Sequence, residues 1–173
     1  MAALGTVSLQ VAGCGYTTKT ILPSNIQTIH VAPVKNTINL TGEISDKNRY
    51  RVYRPGVEVD ATNAIINRFI FDGNLKVVNH EKADAVLEAQ LVDYRRDPLR
   101  YSEGDEIQEY RLSVVVDVAV THALDHKILW QGRVTGDSSF FLSGARAVSE
   151  DEAATKAVED LARRVVDKTI ELW

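Results

Sequence analysis

The stretch Glu109-Tyr-Arg-Leu-Ser-Val-Val-Val-Asp-Val-Ala-Val-Thr121 alternates along its whole length. Tyr110, Leu112, Val114, Val116, Val118 and Val120 fall on one side, and Arg111, Ser113, Asp117 and Thr121 on the other. A period of two built on β-branched residues is the pattern of a strand with one buried face. His122–His126 then turns the chain around Asp125, and Lys127–Phe141 returns with Leu129-Trp130 near its start. Two strands of this length predict an antiparallel pair at the heart of a sheet.

Upstream, Asp84–Tyr94 alternates in the same way, with Ala85, Leu87, Ala89 and Leu91 opposite Glu88 and Gln90. Residues 95–108, with Asp97-Pro98 and Glu103-Gly104, predict a charged loop between the two strands. Leu75–Val78 predicts a short strand and His80–Ala83 a turn. Val57–Asp72 carries Val57, Ala61, Ala64, Ile65, Arg68 and Phe69 at helical spacing, with Ile66 and Ile70 widening the stripe. Pro55-Gly56 precedes this helix, and Gly73 stands at the usual C-terminal cap. Ile26–Val34 predicts a first strand, and residues 35–56 a long loop with room for a short hairpin.

The last element, Val148–Trp173, repeats Ala154, Ala157, Val158, Leu161, Val165 and Leu172 at three and four residues. Ser149 and Glu152 have the spacing of a capping box; acids lead the helix, and Arg163, Arg164 and Lys168 follow late, as its dipole favours. The fold class is therefore an α/β two-layer sandwich (α+β). Two helices pack on one face of a four- or five-stranded mixed sheet, in the order β-α-β-β-β-β-α. The opposite sheet face is more polar and is left to water or a partner.

Composition bounds the function. The chain has 173 residues, enough for one domain over 26–173. Lys plus Arg number 20 against 24 Asp plus Glu, a net charge of −4, which argues against nucleic acid as a partner. A single Cys excludes an intramolecular disulfide. No stretch approaches the ~20 apolar residues of a membrane-spanning helix.

Residues 1–13 carry no charge and lead into Val11-Ala12-Gly13-Cys14, which resembles the lipobox of bacterial lipoproteins. In that reading residues 1–13 are a signal segment. It is short and has no basic residue before Lys19, as if incomplete. Cys14 becomes the first mature residue and carries diacylglycerol and a fatty acyl chain; residues 14–25 are the tether. Several acyl chains together anchor a protein stably to a membrane. Gly15 is not the Asp that tends to retain lipoproteins in the inner membrane, which points to the outer membrane. The alternative is an ordinary first strand with Cys14 as a small buried residue.

Several short pieces together resemble the lipopolysaccharide-assembly lipoproteins of the LptE family. They are Gly13-Cys-Gly-Tyr16, Ile29-His-Val-Ala-Pro-Val34, Pro55-Gly-Val-Glu-Val59, Ala83-Asp-Ala-Val-Leu-Glu88, Leu129-Trp130 and the capped closing helix. Each is weak alone; their order and spacing carry the likeness. The resemblance implies two helices on a four-stranded sheet, an outer-membrane location on the periplasmic side, and a seat within the lumen of the β-barrel LptD. It implies a plug and assembly partner that helps deliver lipopolysaccharide to the outer leaflet. Another envelope lipoprotein module, for peptidoglycan or a different transport complex, remains the alternative.

A binder of phosphorylated lipopolysaccharide needs clustered cations, and two clusters stand out. Lys47, Arg49, Arg51 and Arg54 interleave with Tyr50 and Tyr53, in a stretch (residues 35–54) of net charge +3. Arg95, Arg96 and Arg100 lie beside Tyr94 and Tyr101. Arginine suits phosphate because its planar fork donates two bonds at once, and tyrosine gives rigid contact area. The plainer reading is solvation, or pairing with Asp97, Glu103 and Asp105 nearby.

Nothing points to catalysis, a metal or a bound cofactor. His30, His80, His122 and His126 lack the spacing of a zinc site. There is no Gly-x-Ser-x-Gly elbow or phosphate-cradling glycine loop.

Overall fold

The computed structural model describes residues 26–38 and 54–171. The signal segment 1–13, Cys14 with the tether 14–25, and Lys47, Arg49 and Arg51 lie outside the described residues.

The strands are β1 (Thr28–Val31), β2 (Lys35–Asn36), β3 (Lys76–Val77), β4 (Ala85–Tyr101), β5 (Ile107–His122) and β6 (Ile128–Phe141); the helices are α1 (Val57–Asp72) and α2 (Glu150–Glu171). They form one sheet in the order β3-β1-β4-β5-β6, with β2 also on β4. β1 is parallel to β3 and β4, while β4, β5 and β6 form an antiparallel meander. The expected element order is reproduced, except that the long loop contributes the two-residue β2.

Each helix forms for a legible reason. In α1 the buried residues Val57, Ala61, Ile65 and Phe69 recur every fourth position. Burying each large side chain among them is worth about 1.5–3 kcal/mol. Gly73 ends the helix at φ 75°, a left-handed conformation natural to glycine, and its N–H bonds the Phe69 carbonyl at 3.0 Å. The expected widening of the stripe fails at Ile70, which is 64% exposed. In α2, Ala153, Ala154, Ala157, Val158, Leu161, Ala162, Val165 and Val166 are buried. Their small size lets the helix lie close on β6 at Gly136. A Cβ there would overlap the Ala157 carbonyl oxygen and the Leu161 backbone nitrogen. The capping box is half formed. Ser149 Oγ accepts the Glu152 N–H at 3.1 Å, but the Glu152 carboxylate turns to Lys156 Nζ at 2.7 Å.

The largest departure from expectation is in β4. The strand does not stop at Tyr94; it runs on to Tyr101, so the loop predicted for 95–108 shrinks to residues 102–106. The pairing with β5 shifts register between Leu91 and Asp93. That bulge swaps the faces of the residues beyond it. Ala85, Leu87, Ala89 and Leu91 face the helices before it, and buried Tyr94 does so after it.

The two layers give the molecule two ends. At the hairpin end lie residues 102–106, the close of β6 and the starts of both helices. At the entry end lie the starts of β1, β3 and β4, the β5–β6 turn and the ends of both helices.

Candidate functional site

Neighbouring residues in a strand point to opposite faces. Arg95 pairs in register with Ser113 on the bare face, and Arg96 with buried Leu112 on the helix face. The arginine cluster expected at 95, 96 and 100 is therefore divided by the sheet. Arg95 Nε donates to Asp97 Oδ2 and Nη1 to Asp93 Oδ2, both at 3.0 Å. Desolvation works against its charge, but the bonds to Asp93 and Asp97 together outweigh it and raise its pKa. Arg100, on the hairpin beyond, reaches Glu109 at 3.6 Å and lies 5.7 Å from the centre of the Phe141 ring.

Arg96 instead joins Arg54, the one described member of the other cluster. Arg96 Nη1 donates to Glu150 Oε2 at 2.6 Å, and its guanidinium covers the Tyr110 ring at 4.8 Å. Arg54 lies 3.4 Å from Asp151 and 3.7 Å from Asp60. Both arginines thus tie the chain to the first turn of α2. Buried Tyr94 feels both arginines, and its phenol is pushed up to about 12, first by burial and then by Glu150.

The bare face of β4, β5 and β6 is tiled with ion pairs. Asp117 and Arg133 stand directly opposite each other and pair bidentately at 2.7 and 2.8 Å. That bond holds the Asp117 carboxyl below its ordinary value. Ser113 Oγ donates to Asp137 Oδ1 at 2.6 Å, and Lys35 lies 3.9 Å from Glu88. A shallow hollow of about 510 Å³ opens among Gln90, Ala119, Gln131 and Gly132. Arg111, on the same face, is exposed and makes no ion pair among the described residues. Sequence reasoning missed the Asp117–Arg133 pair because the two lie 16 residues apart. Only the register of β5 on β6 brings them together.

A second groove, about 830 Å³, runs between α1 and α2 past Asn63 and Asn67. Its cations are held by neighbours: Arg68 lies 3.8 Å from Asp167, and Lys156 bonds Glu152. Among the described residues no group of three or more His, Cys, Asp or Glu is arranged to hold a metal. None of their helices is long and apolar enough to cross a membrane.

A family model for LptE, described as lipopolysaccharide-assembly, matches residues 26–169. No curated protein sequence matches the chain significantly. Among the solved structures that share the architecture are the following three. Protein XCC0632 from Xanthomonas campestris is 13% identical with a TM-score of 0.58, covering 87% of this chain and 89% of that one. The hypothetical protein CT253 from Chlamydia trachomatis is 14% identical with a TM-score of 0.55, covering 83% and 95%. A minor lipoprotein from Acinetobacter baumannii is 12% identical with a TM-score of 0.51, covering 83% and 92%. At such identities the likeness is one of fold.

Proposed function

The chain belongs to the lipopolysaccharide-assembly family LptE, and on that premise we propose that it is a lipid-anchored outer-membrane partner of the β-barrel LptD. Acyl chains on Cys14 hold it to the membrane, and the domain sits on the periplasmic side within the barrel lumen. There it plugs the barrel, assists its assembly and helps pass lipopolysaccharide to the outer leaflet. The role is structural rather than catalytic.

The observation that carries this reading is the family match across nearly the whole described domain, from residue 26 to residue 169. The sheet supports it in kind. Its bare face is wide, polar and ion-paired, and offers a partner wall hydrogen-bonding groups without exposing a greasy surface. On that face and the hairpin beyond, Arg111 makes no ion pair among the described residues, and Arg95 and Arg100 would exchange their carboxylate partners for lipid phosphates. Lys47, Arg49 and Arg51 are further candidates. Arg54 and Arg96 are engaged by α2 and serve the fold.

The test is purification of the tagged full-length chain from its own outer membrane. A large β-barrel recovered in equal amount supports the reading. Recovery with peptidoglycan fragments or a different transport complex, and no barrel, rejects it. Fatty-acid labelling that survives Cys14→Ala rejects the anchor site.

A further inference from the structure

Among the described residues, the three most exposed large apolar side chains are Leu124 at 88%, Phe71 at 81% and Ile70 at 64%. All three lie at the entry end. Phe71 and Ile70 close α1, five and six residues before β3 begins at Lys76. Leu124 crowns the β5–β6 turn, and Ile128, 54% exposed, follows it at the start of β6. The turn is held firmly. Ala123 N–H bonds the Asp84 carbonyl at 2.8 Å, and His122 N–H bonds the Lys127 carbonyl at 2.9 Å. Leu124 is thus presented on an ordered loop, with no cover from the described chain.

The polypeptide enters the domain at this same end. Asp84 accepts the backbone N–H groups of Gln27 and Thr28 at 3.0 and 2.9 Å, which pins the start of β1 beside the turn. Residues 15–25 separate Ile26 from Cys14. Fully extended, such a length spans no more than ~40 Å, whatever its conformation.

We propose that the entry end is a second membrane contact, in which Leu124, Phe71, Ile70 and Ile128 rest in the headgroup region of the lipid surface that holds the Cys14 anchor. The proposal rests on the acylation of Cys14. Side chains of this kind partition into the interface, and a short tether holds them at an effective concentration on the order of millimolar. A patch with only millimolar affinity of its own is then occupied about half the time. Lys76, Lys82 and Lys127 rim this end and make no ion pair among the described residues. Asp72, Glu81, Asp125 and Glu171 share it, so the surface is not cationic. The contact is apolar, and anionic lipid and salt change it little. It also sets orientation: the hairpin end, with Arg100 and residues 102–106, is the end farthest from the anchored lipid surface.

Because Cys14 is the only cysteine, the full chain can be coupled through it to a maleimide phospholipid in vesicles of phosphatidylethanolamine and phosphatidylglycerol. Hydrogen exchange is then compared with the same chain capped by a soluble maleimide. Amides in 70–75 and 122–128 slow by about twofold or more, as half-occupancy requires, while those in 99–107 do not change. The double variant Phe71→Ser, Leu124→Ser alters only exposed side chains and loses the effect. Unchanged exchange at 70–75 and 122–128, or equal slowing at both ends, overturns the proposal. The intact mass of the natural protein tests the anchor separately. A mass without acyl chains removes the tether and the inference with it. An acylated protein without the exchange effect defeats this inference alone.

Discussion

Thr28 and Asp84 bond each other reciprocally: Asp84 Oδ2 accepts the Thr28 N–H at 2.9 Å and its hydroxyl lies 2.7 Å away, while Thr28 Oγ1 accepts the Asp84 N–H at 2.9 Å. The Gln27 N–H adds a further bond, the largest cause of a carboxyl pKa held below 3.8. Fifty-six residues of sequence are closed at this point. Replacing Asp84 by Ala leaves two N–H groups to partial solvation and costs about 1–2 kcal/mol. The sign of its pH dependence is fixed. A depressed carboxyl stabilises the fold fully above its unfolded value, and the effect fades as pH falls below 3.8. Thermal unfolding of Asp84→Ala is therefore lower than wild type at neutral pH, and the gap closes in acid. A gap that persists well below 3.8 contradicts the assignment to Asp84.

Gly136 lies against α2 so closely that any side chain meets helix backbone, which cannot yield as a flexible side chain does. Gly136→Ala should force α2 outward and cost about 1–3 kcal/mol, as overpacking does. Gly132, on the same strand, makes the control. A Cβ there touches only the Trp130 ring, at 3.4 Å, and Gly132→Ala stays near wild type. Equal midpoints for the two variants in denaturant would refute the close approach.

These residues also mark what the sequence allowed to be read. α1 was legible to the residue because its stripe, its preceding Pro55-Gly56 and its closing Gly73 all agree. β5 was legible because Tyr110, Leu112, Val114, Val116, Val118 and Val120 make one face apolar, and β6 as its return across the turn at Asp125. The extension of β4 was not, since Arg95, Arg96 and Asp97 carry charge to both faces and Pro98 interrupts the donor pattern. Its stability comes from cross-strand partners, Asp97 opposite Arg111 and Pro98 opposite Tyr110, which no local window contains. The bulge after Leu91 hid the face of every later residue. So the cations of the candidate site could be named from the sequence, but their division between two faces could not.

Tyr94 gives a prediction of the opposite kind. Its hydroxyl is buried and has no hydrogen-bond partner among the described residues. Tyr94→Phe should be neutral or slightly stabilising at neutral pH, because it removes a desolvated polar group without orphaning another. Burial raises the phenol from 10.0 to about 12, so the fold holds it neutral. Its cost is absent below the unfolded value of 10.0 and grows as pH climbs toward the folded value of about 12, reaching about 2 kcal/mol. Wild type should lose stability across that alkaline window faster than Tyr94→Phe. Parallel pH profiles for the two would show that the ring's hydroxyl reaches solvent.

Arg95 and Arg96 provide the sharpest separation of fold from function. Arg96→Ala removes the bond to Glu150 and the cover over Tyr110, and leaves a half-buried carboxylate at the start of α2. It should cost about 1–2 kcal/mol of stability. Arg95→Ala removes a half-buried side chain whose ion pairs run to Asp93 and Asp97 on its own strand and tie no other element, so its melting temperature should move little. For lipopolysaccharide the order reverses. The double variant Arg95→Ala, Arg100→Ala takes two charges from the bare face and hairpin while leaving the α2 contact intact. Each lost phosphate contact is worth about 1–2 kcal/mol, so micelle binding should fall by about tenfold or more. Folded Arg96→Ala should bind as wild type does. Sedimentation with micelles, run beside thermal melts, decides the matter. If the double variant binds normally, or if Arg96→Ala loses binding while remaining folded, the phosphate-facing cations are not those on the bare face.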